Sequence, residues 1–437
     1  MDSQLEKIVI TGMGVVSPLG ATLGAFWQSL SNKQSGIREF KSISGDAIGV
    51  RYGAECWDFT GEIEQFGPLE KTLQRAIKKN QKLMCREIEM GVAACQMALH
   101  DAALTAGEMD PDRSGITYGS DYILTRPEEF VDGVDACCDE EHHFQMQKWP
   151  GTGRLQVNPL WLLKFLPNMP ASHVAILNDL RGPSNSITVR EASTSLTFGE
   201  AAAAIRRGAA DVMIVGATGS RIEPLRMVHV VGQEPIASAR DNPAEMSRPF
   251  ALDRDGIVLG EGAGAFVLES LSNALRRKAR IYGELLGYAS STVGRVQGRD
   301  HVRVATANVL SSTLQRSKLA SGDTLHIHAA GRGDKTGDQS ESLAIAEVFE
   351  GKPAPKVVAA KSYFGNLGAG SAAVEIIASC LALKEGKLFA TLNSEKKDPA
   401  CPVDIASQND PAGNAFIHLA CSPQGQAAAI AVRKWAD

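Results

Sequence analysis

The residues "TVREASTS", 188–195, close a run that can form a strand, "SNSITV", and lead into "LTFGEAAAAIRRG", which has helical composition. A strand that turns through small residues into a helix presents backbone N–H donors and the positive end of the helix dipole to the side chain at the turn. That arrangement suits a catalytic nucleophile. The prominent side chain here is the carboxylate of Glu191, which leaves three readings: an acid or base, a helix cap, or a replacement for a nucleophile.

Other stretches carry residue types that can do chemistry. In "HIHAAGRGDKTGDQSE", His326 and His328 share one strand face by the two-residue period. The plain expectation is two polar groups on a half-exposed strand. The glycines and Asp338 mark a loop at the strand's end, where α/β folds place their sites. "CCDEEHH", residues 137–143, holds metal-ligating types, but adjacent cysteines and adjacent histidines diverge and no zinc spacing is met. A solvated loop is expected, with His142 and His143 as candidates for adventitious metal only; no resident metal or cofactor is expected. "TGMGVVS" has Gly12 and Gly14, but Ser17 stands where a dinucleotide fingerprint has its third glycine. It is read as a tight turn after the first strand. The basic run "RAIKKNQK" is read as a solvated face that can also dock an acidic partner.

The elements that must position these residues alternate between strand and helix. "KIVITGMGVVSPLG", "GITYGS", "ADVMIVGAT", "TLHIHAAG", "PKVVAAKS" and "AAAIAVRKW" read as strands, and "IVLGEGAGAFVLES" as two strands across a glycine turn. "CREIEMGVAACQMALHDAAL", "ASHVAILNDL", "ATANVLSSTLQRSKLA", "ESLAIAEVFEG" and "SAAVEIIASCLALKEG" read as helices. The alternation predicts an α/β fold with buried central strands. A composition boundary at "LSNALRRK" divides two similar halves, 1–270 and 271–437; residues 125–156 read as an insertion. With 44% hydrophobic and 22% charged residues, the chain can bury a large core. Its net charge of -5 gives no whole-chain case for nucleic acid. No apolar run is long enough for a membrane span, and the eight cysteines are scattered, so a cytoplasmic location is expected.

Taken together, five stretches resemble the β-ketoacyl-acyl-carrier-protein synthases. They are "RPFALDRDGIVLGEGAGAFVLE", "IVITGMGVVSPLG", "LRGPSNSITVREASTS…GEAAAAIRRGAADVMIVGAT", "AGRGDKTGDQSESLAIAEVF" and "KSYFGNLGAGSAAVEII". They occur in order over nearly the whole chain. The resemblance implies the thiolase-type five-layer α-β-α-β-α fold. It also implies a dimer formed through the strand near 186–189, and an acyl carrier protein as partner. It places a nucleophilic cysteine at 191 and two histidines at 330 and 366. The physical logic is a dipole-activated thiolate with preorganised donors where negative charge develops.

The sequence departs at all three positions: Glu191, Ala330 and Asn366 stand there. Lys361 and Glu375 match a lysine and a glutamate of the family pattern. The flexible glycines expected after "NAF" are replaced by Ile417, His418, Leu419 and Ala420. Ser193, Thr194 and Ser195 are read as small helix-start residues, and Cys421 lies away from the helix start. This pattern is most like that of chain length factors, non-catalytic ketosynthase-like subunits that pair with an active ketosynthase. The expected function is therefore a non-condensing partner in fatty acid or polyketide assembly. A homodimer with altered thioester chemistry (decarboxylase or hydrolase), and a non-catalytic acyl- or carrier-binding protein, are the alternatives. Lys78, Lys79 and Lys82 lie where related synthases dock the carrier. Glu191 is expected to cap the helix start, a term of about 1 kcal/mol.

Overall fold

The computed structural model describes residues 6–43, 48–104, 107–319 and 323–436. Strand β1 (Ile8–Val16) is buried along its whole length, which is why it reads as a near-continuous apolar run instead of alternating. The turn expected at Gly12 and Gly14 is not there; both glycines sit inside β1. A Cβ on Gly12 would lie 2.3 Å from the Ala98 carbonyl oxygen, and one on Gly14 would lie 2.1 Å from that of Ala94. Their bare backbones let the helix Arg86–Asp101 lie directly against the strand. The turn comes after the strand, where Ser17 and Gly20 exchange backbone hydrogen bonds of 3.2 and 3.1 Å.

β2 (Arg38–Glu39) and β3 (Tyr52–Gly53) pair with each other. The large sheet is built from β1, β4 (Ser114–Gly119), β5 (Ser184–Ile187), β6 (Val212–Ser220), β7 (Glu261–Ser270), β8 (Gly283–Thr292), β9 (Leu325–His328), β10 (Lys356–Val358), β11 (Asp404–Ile405), β12 (Ala415–Cys421) and β13 (Gln426–Lys434). Its order shows two copies of one plan. The first runs β1-β7-β6-β4-β5, and the second runs β8-β13-β12-β9-β10 with β11 at its edge. In each, the first strand is antiparallel to the last, the last to the fourth, and the fourth, second and third are parallel. The two sheets join where Ile8, Val9 and Ile10 pair with Leu285, Glu284 and Gly283.

Helices Ser193–Arg206 and Gly370–Glu385 lie between the sheets. Arg86–Asp101 and Met169–Leu177 cover one outer face, and His301–Ser317 and Lys335–Val348 the other. This is the thiolase-type α-β-α-β-α arrangement. Every residue from Gly370 to Leu383 is buried, as a helix sandwiched between two sheets requires. The expected pair of strands in "IVLGEGAGAFVLES" is one strand, β7, with the preceding residues making only isolated bridges. Within residues 125–156 the chain forms short helical turns, including Val131–Asp135 and Trp149–Gly153. Among the described residues no helix is long and apolar enough to cross a membrane.

Candidate active site

After β5 the chain makes a short 3-10 turn, Arg190–Ala192, and enters the helix Ser193–Arg206. Arg190 takes φ +49, a left-handed conformation that costs a non-glycine residue about 1–2 kcal/mol. The turn buries Glu191 to 2% exposure. Glu191 does not cap the helix, contrary to expectation. The N-cap residue is Ala192, without a side-chain cap. The Glu191 carboxylate instead accepts from Arg221 Nη2 at 2.6 Å and from Asn366 Nδ2 at 3.1 Å. In the bond to Arg221 both partners are ionised, whereas in a helix cap only the carboxylate would be, and this favours the guanidinium.

Around this contact lies a cluster of buried charges. Arg190 and Arg221 both donate to Glu234 Oε1, the latter at 3.0 Å, and Arg190 Nε lies 3.5 Å from Glu191 Oε2. Arg332 donates to Glu234 Oε2 and, at 3.0 Å, to Asp334. Three arginines thus face Glu191, Glu234 and Asp334. Burial alone would raise the Glu191 pKa, but Arg221, Arg190 and Arg332 outweigh it and hold the carboxyl well below its usual range. Burial would raise Glu234 as well, but Arg332 first and Arg221 second outweigh it and leave it lowered. Glu191 is therefore held as an anion whose lowered proton affinity makes it a weak base near neutrality.

The other two positions are equally committed. The Ala330 and Gly331 N–H groups donate to Glu341 at 2.7 and 2.9 Å. Burial pushes Glu341 up to about 7 against those two donors. Asn366 Oδ1 accepts from Gly368 N at 2.9 Å and from Ser371 Oγ at 3.3 Å. The structure thus brings Glu191 and Asn366 into contact, while Ala330 offers only a methyl group. Lys361 and Glu375 form a buried ion pair, and His418 Nε2 donates to Glu375 at 2.8 Å. Burial would raise Glu375, but Lys361 and His418 bring it below its ordinary value.

His326 and His328 correct the half-exposed expectation: both are buried. His328 Nε2 accepts from Ala360 N, so its Nδ1 donates to Ser379 Oγ at 2.8 Å. Ser379 passes on a bond of 3.1 Å to His326 Nε2, whose Nδ1 donates to the Ala412 carbonyl at 2.8 Å. Burial lowers the His326 pKa to about 4 and the His328 pKa well below its usual value. Both are neutral core residues linking β9 to the helix Gly370–Glu385.

No nucleophile and base are paired at the turn. Ser193 Oγ accepts from Val189 N at 2.9 Å, and Thr194 Oγ1 donates to the Ala369 carbonyl at 3.3 Å. Burial first, and Glu341 second, raise the Cys421 thiol well above its usual pKa. Sequence reasoning missed Arg190, Arg221, Glu234 and Arg332. The available signal was an arginine directly after the apolar β6 and another inside the glycine loop after β9.

Elsewhere, Lys78 and Lys79 occupy the last turn of the helix Lys71–Asn80, and Lys82 the 3-10 turn after it; all three are exposed. Asp139, Glu141 and His143 bring ligand atoms within 4.8 Å of one another on the surface, with His142 outside the group.

Comparisons with known proteins identify the family and the fold. Residues 5–274 match the family model of the β-ketoacyl synthase N-terminal domain, and residues 282–395 that of the C-terminal domain. The chain is 31% identical over 407 residues to 3-oxoacyl-[acyl-carrier-protein] synthase 2 of Synechocystis sp., covering 91% of this chain and 90% of the relative. It is 29% identical to the synthase of the same name from Staphylococcus aureus, covering 92% of each. Among solved structures, the ishigamide ketosynthase/chain length factor aligns with a TM-score of 0.80 at 25% identity, over 99% of this chain and 100% of that one. A type II PKS acyl-carrier protein in complex with its ketosynthase aligns at 0.81 and 23% identity, with the same coverage.

Proposed function

The chain belongs to the β-ketoacyl synthase family, and from that premise we propose that it is a non-condensing subunit working beside an active ketosynthase, as a chain length factor does. The observation that carries this reading is the bond between Glu191 and Arg221, inside a cluster of three arginines and three carboxylates. A thioester-forming thiol is replaced by an anion already neutralised by its neighbours. The two positions that would stabilise developing negative charge hold a methyl group and an amide engaged with that same anion. The alternative of altered thioester chemistry at Glu191 is disfavoured because its Oε1 is engaged by Arg221 and Asn366 and the arginines make the carboxylate a weak base.

Pairing with a second subunit fits two features of the surface. β5 is hydrogen-bonded to β4 on one side and forms the sheet's edge on the other, and such an edge is a template for another chain's strand. In the segment between β4 and β5, Val131, Phe144, Met146, Leu155, Leu160 and Leu162 are exposed apolar residues, available to a partner's surface. The acyl carrier protein is the proposed second partner, docking on Lys78, Lys79 and Lys82. The division of the chain into halves at 270/271 is proposed with the repeated sheet plan as its support.

The test is co-expression with a ketosynthase encoded beside this chain, followed by native mass spectrometry. A one-to-one heterodimer is expected. A stable homodimer that ignores such a ketosynthase would overturn the pairing and favour the carrier-binding homodimer.

A further inference from the structure

A separate cavity of about 780 Å³ opens beside the first turn of the helix Arg86–Asp101. It shares no residue with the charge cluster around Glu191. Seven glutamates line it against four cationic side chains. Three of those cations are already engaged: Arg86 with Glu261 at 2.7 Å, Arg126 with Glu223 at 3.0 Å, and Lys164 with Glu129 at 2.7 Å. The surplus is therefore negative.

Two of the lining carboxylates have an oxygen that is buried and accepts no hydrogen bond, Glu87 Oε1 and Glu223 Oε2. Glu87 is only 5% exposed. Arg226 is 4.0 Å from it and is shared with Asp121 at 3.3 Å. A buried acceptor without a donor costs about 1–3 kcal/mol; both oxygens are covered as the cavity stands, so a group that brings N–H donors and positive charge would gain them by a turn of the two side chains toward it. A metal ion is a poor match, because it gathers several oxygens into one sphere. Among the described residues the group that meets that spacing is Asp139, Glu141 and His143, outside this cavity. A cavity of this size, with Phe59, Phe165 and Ile123 among its walls, suits an aliphatic chain with amines spaced along it.

We propose that this cavity binds an aliphatic diamine or polyamine, with one ammonium donating to Glu87 and a second to Glu223. The inference stands independently of the non-condensing reading. It carries a protonic signature. Burial pushes the Glu87 carboxyl up to about 8; Asp121 and Glu261 add to this and Arg226 opposes it. Burial also raises Glu223, against Arg126 and Arg226 and with Glu128 adding. The neighbouring Cys85 thiol, pushed to about 12, stays neutral. Near pH 7 an arriving ammonium meets a largely protonated Glu87. The carboxyl gives its proton to the buffer and pairs as a carboxylate.

The experiment is titration calorimetry of the purified full chain with putrescine and spermidine, in two buffers of different ionisation enthalpy. Saturable binding is expected, with close to one proton released per ligand near pH 7 and progressively less as pH rises through about 8, with net proton uptake by the partly neutral amines near pH 9. Glu87→Gln is expected to weaken binding at least tenfold and to abolish the proton release. Glu223→Gln is expected to weaken binding while leaving most of that release, and Glu140→Gln, on the exposed loop, to change nothing. The proposal is overturned by the absence of saturable binding at millimolar ligand, by binding that Glu87→Gln leaves intact, or by magnesium competing as well as the amine.

Discussion

Replacing Glu191 with alanine is the perturbation whose cost the structure specifies best. The substitution removes an anion that is 2% exposed and leaves Arg221, equally buried, with one carboxylate in place of two. Breaking a buried pair by deleting one partner costs about 3–5 kcal/mol. Arg221 keeps its 3.0 Å bond to Glu234, so the expected loss lies near the lower end, about 3 kcal/mol. Glu191→Gln keeps an acceptor for Arg221 and Asn366 and is expected to cost less, about 1.5 kcal/mol. Urea unfolding followed by circular dichroism measures both. The pH dependence has a fixed sign. A carboxyl held below its unfolded value of 4.5 contributes its full stability above that pH and loses it as pH falls through the folded value. The gap between wild type and Glu191→Ala should therefore be flat from pH 6 to 8 and shrink below pH 4.5. A Glu191→Ala variant within about 0.5 kcal/mol of wild type, or more stable than it, would refute the network as the reason for this residue.

Three further outcomes follow from the same contacts. Glu191→Cys restores a thiol at the turn, but with Ala330 and Asn366 in place no condensation product should appear by mass spectrometry; product would show those positions to be dispensable. Charge reversal at Lys78, Lys79 and Lys82 together should weaken binding of an acidic carrier protein at least tenfold at low salt and flatten its salt dependence, measured by fluorescence anisotropy; unchanged affinity would remove these lysines from docking. Without ligand, Glu87 is a group raised from 4.5 to about 8, so the wild-type fold loses stability as pH rises through that window. Glu87→Gln should therefore gain stability over wild type between pH 5 and 8, and a gap that stays constant with pH would contradict the burial argument.

Much of the fold was legible because its cues are local. Buried strands such as β6 announce themselves as apolar runs, and the five motif stretches lie in order along the chain. The errors have local causes too. Gly12 and Gly14 looked like turn glycines, but their role is to admit the backbone of a helix some 80 residues away. His326 and His328 looked half exposed because nothing in their own strand reveals Ser379, which sits between them on the central helix. The identities of Glu191, Ala330 and Asn366 were readable, but what Glu191 does was not. Its partners Arg221 and Asn366 are 30 and 175 positions away, and Arg332 meets Glu234 across 98. No periodicity encodes such pairings; only the folded sheets bring them together. The helix cap expected of Glu191 failed for the same reason, since the competing guanidinium donors were invisible along the chain.

The central claim is that this member of the family does not itself form carbon–carbon bonds. The direct measurement is a single-turnover assay with the purified chain, an acyl-loaded carrier protein and a malonyl-loaded carrier protein, read by intact-protein mass spectrometry. The account predicts no acylation of this chain under either condition, and β-ketoacyl product only when an active ketosynthase is supplied. A β-ketoacyl product formed by the chain alone would contradict it.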